Sequence, residues 1–317
     1  MRIAFIVDPL DHLKAYKDSS VAMMRAAQTA GHSVYAIQQP AIHWSTQHGV
    51  CADATHLTLL DSDKEWYMES GTQRMALHEF DAVIMRKDPP FDMEYVTTTW
   101  LLERAEAEGA RIFNSPRALR DHSEKLSITE FAQLAVPTLV TRDSQLLKDF
   151  IGTHHDTVLK PLDGMGGSQI FRVNGSDPNR NVIIETLTHD GQRTIMAQRF
   201  IPDITQGDKR VLIIGGKVVP YCLARIPMSG ETRGNLAAGG RGEARTLSTR
   251  DREIAETLAP ILEKRGLFLV GIDIIGDWLT EINVTSPTCM VEICQQTGFD
   301  VAAMFISTLE TTLSASR

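Results

Sequence analysis

The chain has 317 residues, of which 43% are hydrophobic and 23% are charged, so it is long enough for two domains and can bury a sizeable core. Its net charge of −8 argues against nucleic acid or an anionic membrane as the main partner, and no apolar run approaches the ~20 residues of a membrane span. The four cysteines form no Cys-X-X-Cys pair, which argues against a disulfide framework or a zinc site and favours a reducing cytoplasm.

Strand and helix patterns alternate along the first third of the chain. This spacing predicts a parallel sheet with helices on both faces, whose ligands gather beyond the carboxyl ends of the strands. Asp18 is predicted as the N-cap of the first helix, and contact with an anionic substrate at this helix N-terminus is a second interpretation. The predicted strands cover residues 3–7, 33–37, 82–85 and 111–113, and the predicted helices cover residues 21–30 and 94–108.

After residue 122 the pattern changes. None of the ten histidines lies beyond residue 189, so chemistry in this part would use carboxylates, lysines, arginines and backbone groups. The stretch 226–245 has no periodicity and carries five glycines between residues 230 and 242, which is typical of a functional lid or a disordered loop. The other predicted elements are helices at 123–134, 249–265 and 301–313, a strand at 158–160, and hairpins at 211–222 and 268–283.

A glycine-rich turn follows the strand at 158–160. Lys160 ends that strand, and Gly164, Gly166 and Gly167 follow it. Glycines let backbone amides converge on phosphate oxygens, and the lysine adds a positive charge. The spacing matches neither the P-loop nor the dinucleotide-binding fingerprint. A phosphate-binding loop and an ordinary hairpin turn therefore both remain open.

Three oxygen-bearing side chains lie in the hairpin at 268–283. Glu281 and Asn283 are two residues apart on a strand, so they share a face, and both offer the oxygen ligands that Mg²⁺ prefers. Asp273 joins that face if the hairpin turn has three residues, and points to the opposite face if the turn has two. The pattern favours a metal site, and a solvent-exposed strand face is the alternative.

Four arginines flank the long loop: Arg210, Arg225, Arg233 and Arg241. Guanidinium groups bind carboxylate and phosphate through paired hydrogen bonds, and loop closure excludes water from a labile intermediate. Arg86 follows another predicted strand and could bind a substrate carboxylate, although the two prolines after it fit a surface turn equally well.

Six motifs spread over the chain resemble those of a known family. They cover residues 86–91 (RKDPPF), 160–167 (KPLDGMGG), 207–210 (GDKR), 221–227 (YCLARIP), 231–240 (ETRGNLAAGG) and 280–288 (TEINVTSPT). Together they resemble the bacterial glutathione synthetases, which are ATP-grasp ligases, and the match runs from residue 1 to about residue 310. One departure lies at Arg199 and Phe200, where relatives often carry Asn-Tyr; backbone groups hold adenine there in the family.

The resemblance implies an α/β and α+β fold. An N-terminal Rossmann-like pre-ATP-grasp domain would span residues 1–122, a small lid subdomain residues 123–200, and a large catalytic subdomain residues 201–317, with a flexible loop at 226–242. The implied activity is ATP-dependent ligation of γ-L-glutamyl-L-cysteine with glycine through an acyl phosphate. It also implies two Mg²⁺ ions with Mn²⁺ as a substitute, ATP as co-substrate, and a cytoplasmic homotetramer.

The resemblance also implies roles for individual residues. Carried over by motif, the catalytic residues are Arg210, Arg225 and Arg233; the ATP-binding residues are Lys125, Lys160, Gly164, Gly166, Gly167, Gln198, Phe200, Ile201 and Asp208; the peptide and glycine contacts are Arg86, Ser286 and Pro287; and the metal ligands are Asp273, Glu281 and Asn283. Another ATP-grasp carboxylate–amine ligase, and a nucleotide-binding protein without catalysis, are the competing interpretations. The motifs at 86–91 and 231–240 argue against the first, and the Asp, Glu and Asn trio with the loop arginines argues against the second.

Overall fold

A computed structural model of the chain describes residues 1–315 apart from positions 165, 232, 235, 237 and 238. It contains three sheets, one each from the N-terminal, middle and C-terminal parts of the chain, with helices packed against them. The α/β and α+β class predicted from the sequence is confirmed. Within the described ranges, no helix is long and apolar enough to cross a membrane.

The N-terminal sheet has six strands in the order β4-β3-β2-β1-β5-β6. Its first strand pairs in parallel with the second and fifth, and the fifth pairs in parallel with the sixth. The parallel pairing predicted for the strands at 3–7, 33–37, 82–85 and 111–113 is confirmed, whereas β3 and β4, which were not predicted, continue from β2 as antiparallel strands. Side chains of β4 are mostly exposed and polar, so it lacks the apolar pattern of a buried strand. The bounds are β1 (Arg2–Val7), β2 (Ser33–Ser45), β3 (Gly49–Leu59), β4 (Tyr67–Ala76), β5 (Ala82–Met85) and β6 (Ile112–Phe113).

Three helices accompany this sheet: α1 (Ser19–Thr29), α2 (Met93–Ala107) and α3 (Pro116–Asp121). The predicted N-cap is confirmed, because the Asp18 side chain accepts hydrogen bonds from the backbone amides of Ser20 (2.7 Å) and Val21 (3.0 Å). The carboxyl ends of β1 and β5 lie side by side, and Asp8 accepts a hydrogen bond from the Asp88 amide at 3.0 Å.

The middle sheet is antiparallel, with the order β7-β10-β8-β9. Its helices cover one face and bury a small apolar cluster, so the other face is left for the cleft described below. The helix predicted at 123–134 is instead a 3-10 helix (Leu126–Leu134), which is interrupted at Phe131, where the backbone leaves helical angles. The elements are β7 (Thr138–Thr141), α4 (Ser144–His154), β8 (Asp156–Pro161), β9 (Phe171–Asn174), α5 (Arg180–Thr188) and β10 (Ile195–Arg199).

The C-terminal sheet has the order β13-β12-β11-β14-β15, and all its pairs are antiparallel. The prediction that 226–245 has no regular structure is wrong at its end, where β13 pairs with β12; its side chains are partly exposed and carry no apolar alternation. The positions outside the described residues at 232, 235, 237 and 238 belong to the predicted flexible loop. The elements are β11 (Asp208–Ile214), β12 (Lys217–Ile226), β13 (Arg241–Thr246), α6 (Thr249–Lys264), β14 (Leu269–Ile275), β15 (Trp278–Asn283), α7 (Met290–Thr297) and α8 (Val301–Ala315).

The N-terminal and C-terminal sheets share one buried core. The last helix, α8, packs against α1, and their apolar side chains belong to the same cluster. Asn114, just after β6, is buried and bridges to the C-terminal sheet: its amide nitrogen donates to the carbonyls of Leu269 (2.9 Å) and Val284 (2.7 Å), and its oxygen accepts from the Leu269 amide (2.7 Å). One side chain therefore ties β14 and the end of β15 to the first sheet.

We expect Asn114→Ala to lower the free energy of unfolding by about 2–4 kcal/mol, because it leaves two buried carbonyls and one buried amide without a partner. Urea denaturation followed by circular dichroism measures this. Asn179→Ala is the matched control, since Asn179 is exposed and its side chain caps no helix. An Asn114 variant as stable as that control would contradict the bridging role.

Candidate active site

A cleft of about 360 Å³ lies between the middle and C-terminal sheets and reaches the end of β5. All predicted site residues line it except Asp18, Arg86 and Pro287. The glycine-rich turn at 164–167 and the loop after β12 both border it, although position 165 and part of that loop lie outside the described residues. Phosphate-binding and carboxylate-binding groups from distant parts of the chain therefore meet in one place.

The β14–β15 hairpin places Asp273 and Glu281 on the same face, although its turn has the length for which opposite faces were predicted. The turn has two residues, since Ile275 pairs with Trp278, and a regular ladder would then place Asp273 and Glu281 on opposite faces. An irregularity between Asp273 and Ile274 leaves Thr280 as an extra residue, so that Asp273 pairs with Glu281. The bulge restores the shared face.

Two buried arginines hold Asp273 from neighbouring strands. Arg210 on β11 is opposite Asp273 and makes two hydrogen bonds to it, Nε to Oδ1 at 2.5 Å and Nη2 to Oδ2 at 3.1 Å. Arg225 on β12 places Nη2 2.9 Å from Asp273 Oδ2 and 2.5 Å from Asp208 Oδ2. Arg210, Arg225 and Asp273 are buried and Asp208 is partly buried, so each charge depends on the others.

Burial and ion pairing move the pKa values of the two acids in opposite directions. Burial alone would raise the pKa of Asp273, but Arg210 and Arg225 hold it well below its ordinary value. Burial raises the pKa of Asp208 to about 6 even though Arg225 is adjacent, and its Oδ1 is buried without a hydrogen-bond partner among the described residues. Asp273 is therefore a fixed anion, whereas Asp208 has an unused acceptor in the cleft wall.

Glu281 is linked to the glycine-rich turn through Lys125. The Lys125 ammonium lies 3.0 Å from Glu281 Oε1 and donates to the Gly164 carbonyl at 2.5 Å. On the same strand, the Asn283 amide nitrogen donates to Asp273 Oδ2 and to the Gly271 carbonyl, both at 3.2 Å. This orientation leaves Asn283 Oδ1 without a partner among the described residues.

Glu281 and Asn283 offer better ligands for a magnesium ion than Asp273 does. In the described part of the chain, no group of three His, Cys, Asp or Glu side chains is arranged to hold a metal. The trio contains only two carboxylates, and Asp273 already contacts two guanidinium groups. Glu281 Oε2 and Asn283 Oδ1 have no partner among the described residues, and both side chains line the cleft. Such hard oxygens, together with nucleotide phosphates, form the usual Mg²⁺ coordination. A cation near Asp273 would share its oxygens with Arg210 and Arg225.

The face of the middle sheet forms the far wall of the cleft. Lys160 is buried on this face beside Thr280, and burial lowers its pKa to about 8 against the opposing attraction of Glu281. Gln198 is fixed by Thr138, which accepts a hydrogen bond from its amide nitrogen at 3.1 Å. The Arg172 guanidinium stacks 3.8 Å from the centre of the Phe200 ring. These flat and apolar surfaces can accommodate an aromatic base next to a phosphate-binding lysine.

Arg233 connects the loop after β12 with the glycine-rich turn. Its guanidinium lies 2.6 Å from Glu231 Oε2 and donates to the Gly167 carbonyl at 3.4 Å. Arg241, the other arginine predicted near this loop, is exposed and pairs with Glu243 instead of facing the cleft. Of these two arginines, only Arg233 can reach a group bound under the loop.

Three predicted substrate contacts lie outside the cleft lining. Arg86 is buried behind it, where Nε donates to Ser20 Oγ and Nη2 donates to the Pro287 carbonyl, both at 3.0 Å. Asp18 is occupied as the cap of α1, and Pro287 is buried. Arg86 thus joins α1 to the segment after β15, and it can influence the cleft through Ser286, whose hydroxyl donates to the Arg86 carbonyl at 3.4 Å.

The cleft also contains residues that were not predicted, among them Asp88, Glu124 and Cys289. Glu124 precedes Lys125, but a single carboxylate before a helix looks like a helix-start residue in sequence. Cys289, predicted as a packing residue, is buried, and burial raises the pKa of its thiol, which does not favour a nucleophile.

Comparisons with known proteins agree along nearly the whole chain. The model of the prokaryotic glutathione synthetase N-terminal domain matches residues 1–120, and that of the prokaryotic glutathione synthetase ATP-grasp domain matches residues 124–298. A glutathione synthetase of Ralstonia nicotianae is 58% identical over 310 residues, covering 98% of this chain and 95% of the relative. A glutathione synthetase of Nitrosomonas europaea is 58% identical over 313 residues, covering 98% of each.

Two solved structures with this architecture are more distant in sequence than these relatives. D-cycloserine synthetase DcsG superposes with a TM-score of 0.69 at 15% identity, covering 99% of this chain and 100% of that one. The ATP-grasp ligase PsnB, in complex with a minimal precursor, Mg and ADP, superposes with a TM-score of 0.62 at 18% identity, covering 98% of each chain. At such identities the superpositions show the fold alone.

Proposed function

Because the chain belongs to the prokaryotic glutathione synthetase family, we propose that it is a ligase that joins γ-L-glutamyl-L-cysteine to glycine in an ATP-dependent reaction. The observation that carries the proposal is a cleft that gathers both predicted lysines, the three predicted catalytic arginines and the three predicted metal ligands around one site. Such a set can bind a nucleotide triphosphate and a carboxylate side by side.

The reaction needs activation, because a carboxylate does not react with an amine in water. The γ-phosphoryl group of ATP is transferred to the cysteine carboxylate, which gives an acyl phosphate and ADP; glycine's amine attacks that carbonyl, and phosphate leaves. Negative charge develops on the phosphoryl and carbonyl oxygens in both steps, so catalysis depends on placed cations rather than on a strong base. Arg210, Arg225 and Arg233 are proposed to supply that charge.

The nucleotide is proposed to lie along the middle sheet. Lys125 and Lys160 bind its phosphates, and the glycine-rich turn (Gly164, Gly166, Gly167) covers them. Adenine lies against the segment 198–201, with Gln198, Phe200 and Ile201 on one side, and the ribose approaches Asp208. The buried, partnerless Asp208 Oδ1 supports the last contact, because a ribose hydroxyl would supply the missing donor.

Magnesium belongs to the same proposal. ATP-grasp ligases use ATP with Mg²⁺, and Asp273, Glu281 and Asn283 are the residues proposed to hold it here, as two ions with Mn²⁺ as a substitute. The metal would neutralise phosphate charge. Glu281 Oε2 and Asn283 Oδ1 on β15 have no partner among the described residues, which supports the site. Because Asp273 already contacts two arginines, Glu281 and Asn283 are the more available ligands.

The remaining parts of the proposal rest on the family resemblance. Ser286 and Pro287 line the peptide and glycine site, and Arg86 helps to orient the peptide. Contact of substrate with Asp18 at the N-terminus of α1 is a second proposal, which rests on the preference of helix N-termini for anions. The chain divides near residue 122 into an N-terminal domain and the ATP-grasp region, and the latter divides near residue 200. The enzyme is a homotetramer that acts in the cytoplasm.

A phosphate-release assay over a panel of acceptor amines and acyl donors tests the activity. The expected result is ADP and phosphate formation that requires γ-glutamylcysteine, glycine and Mg²⁺ together. Higher activity with alanyl dipeptides or with another amine would assign the chain to a different ATP-grasp ligase activity. Nucleotide binding with no turnover on any pair would make it a binding protein.

The lowered pKa of Lys160 predicts that ATP binding is coupled to proton uptake. Since its pKa is about 8 in the free protein, roughly half of the Lys160 side chains are neutral at pH 8. Bound phosphates favour the charged form, so ATP binding at pH 8 should take up protons, and affinity should fall as the pH rises above 8. Calorimetry in buffers of different ionisation enthalpy measures the number of protons taken up. Lys160→Arg is the control, because an arginine side chain stays charged over this pH range. Equal uptake by both proteins would contradict it.

A further inference from the structure

The middle sheet presents an arginine to the cleft at some distance from the phosphate-binding lysine. Gln198 on β10, Val158 on β8 and Arg172 on β9 pair across three strands, so they share a face, and all three line the cleft. Lys160 lies on the same face of β8, two residues from Val158. Because a strand rises about 3.3 Å per residue, Arg172 is level with a point about 7 Å from Lys160 along the strand. It therefore faces the part of the cleft beyond the proposed phosphate site.

Asp156, at the start of β8, fixes the orientation of the Arg172 guanidinium. Arg172 Nε donates to Asp156 Oδ1 at 3.0 Å, and Nη2 donates to Oδ2 at 2.5 Å. Two such bonds set the plane of the guanidinium as well as its position. The backbone carbonyl of Asp156 also accepts a hydrogen bond from the Phe200 amide at 2.9 Å. One residue thus holds both the guanidinium and the backbone of the aromatic residue beside it.

The guanidinium of Arg172 lies over the ring of Phe200, 3.8 Å from its centre. This distance is well within the range of a cation–π contact, and a planar guanidinium can also stack on the ring. Phe200 has no hydroxyl through which a hydrogen bond could fix its ring, so the orientation of the ring depends on contacts with its faces. Asp156, Arg172 and Phe200 therefore form a clamp on the cleft face of the sheet.

We propose that Arg172 is a positioning residue for the nucleotide base: held by Asp156, it fixes the Phe200 ring as a flat wall against which a purine stacks. This proposal rests on the proposed function, which places adenine at the segment 198–201. An arginine in such a cleft could instead bind phosphate. Its distance from Lys160 argues for the base, so Arg172 should strengthen the binding of the base and not that of the phosphates.

The experiment titrates ATP and inorganic tripolyphosphate, each with Mg²⁺, by calorimetry. Tripolyphosphate has the phosphate chain of ATP but neither ribose nor base, so it reports contacts with the phosphates alone. The wild-type protein is compared with Arg172→Ala and Arg172→Lys. Arg74→Ala is the matched control, because Arg74 is exposed on β4 outside the cleft and makes the same pair of bonds, to Asp53, at 2.9 and 3.3 Å.

Arg172→Ala should weaken ATP binding by about 3- to 30-fold, the contribution of a cation–π contact, while tripolyphosphate binding stays within about twofold of wild type. Arg172→Lys should show the same loss, because an ammonium keeps the charge but cannot bond Asp156 in pairs and lie flat on the ring. In a Phe200→Leu background, Arg172→Ala should cost less than about twofold in ATP affinity, because no ring remains to be fixed. The control should bind both ligands as the wild type does.

Loss of tripolyphosphate affinity by the same factor as ATP affinity would overturn the proposal, because Arg172 would then bind phosphate or support the whole sheet. Unchanged ATP binding in Arg172→Ala, full affinity in Arg172→Lys, or an undiminished loss in the Phe200→Leu background would also overturn it. If the wild-type protein bound ATP but formed no ADP with γ-glutamylcysteine and glycine, only the proposed activity would fail, since these titrations need no turnover. A wild-type protein that bound no ATP would overturn both.

Discussion

Asp273→Asn should reduce turnover by about 100- to 1,000-fold and the free energy of unfolding by about 3–5 kcal/mol. The first effect follows because Asp273 aligns the guanidinium groups of Arg210 and Arg225 and contributes to the proposed metal site. The second follows because its loss leaves Arg210 buried without a counter-charge. Steady-state kinetics measure the turnover, and urea denaturation measures the free energy of unfolding.

Asp277→Asn provides the control for that experiment. Asp277 lies in the two-residue turn of the same hairpin and is exposed, so the same chemical change there should alter neither number appreciably. A folded Asp273 variant with normal turnover would contradict both proposals, namely that Asp273 contributes to a metal site and that it aligns Arg210 and Arg225. A variant that loses stability but regains full turnover in a stabilising osmolyte would limit Asp273 to packing.

Arg233→Ala should lower kcat by about 100- to 1,000-fold, the effect of removing one group that stabilises developing charge, while ATP affinity stays nearly unchanged. Among the described residues, the Arg233 guanidinium contacts only Glu231 and the Gly167 carbonyl, so it is available to a bound phosphoryl group. Single-turnover kinetics with a nucleotide-binding titration separate the two quantities.

Arg241→Ala is the matched control for the loop, because Arg241 is exposed and pairs with Glu243 away from the cleft. It should retain both turnover and nucleotide affinity. If Arg233→Ala lost nucleotide affinity by the same factor as turnover, Arg233 would be a ground-state ATP ligand, and the assignment of this loop to the transferring phosphoryl group would be wrong.

The sequence predicted those parts of the fold that depend on short-range patterns. The N-cap at Asp18 needs only a carboxylate two and three residues before amides that have no acceptor within the helix. The hairpin at 268–283 needs only apolar strands around Gly276. Strand β4 was missed because an edge strand with solvent on both sides has no apolar period. The strand at the end of the long loop was missed for the same reason.

The site was predicted in part, and its limits have a physical cause. The residue types at Lys160, Asp273 and Glu281 already indicate phosphate and metal chemistry, because those charges are unfavourable in a strand unless a partner binds them. Whether Asp273 and Glu281 share a face depends on the bulge at Thr280. The alternation of apolar and polar residues does not reveal such a one-residue shift in strand pairing. Sequence alone thus determined which groups are present and which family the motifs resemble.

Only the tertiary structure decided which of those groups meet. It buried Arg86 behind the cleft and placed Asp88 and Glu124 in the lining of the same cleft, although their positions in the chain suggest no association. Such contacts join segments far apart in sequence, and they follow from how three sheets pack around shared cores. A local pattern records the chemistry of a side chain, whereas its neighbours and its distance from water are set by the whole packed chain.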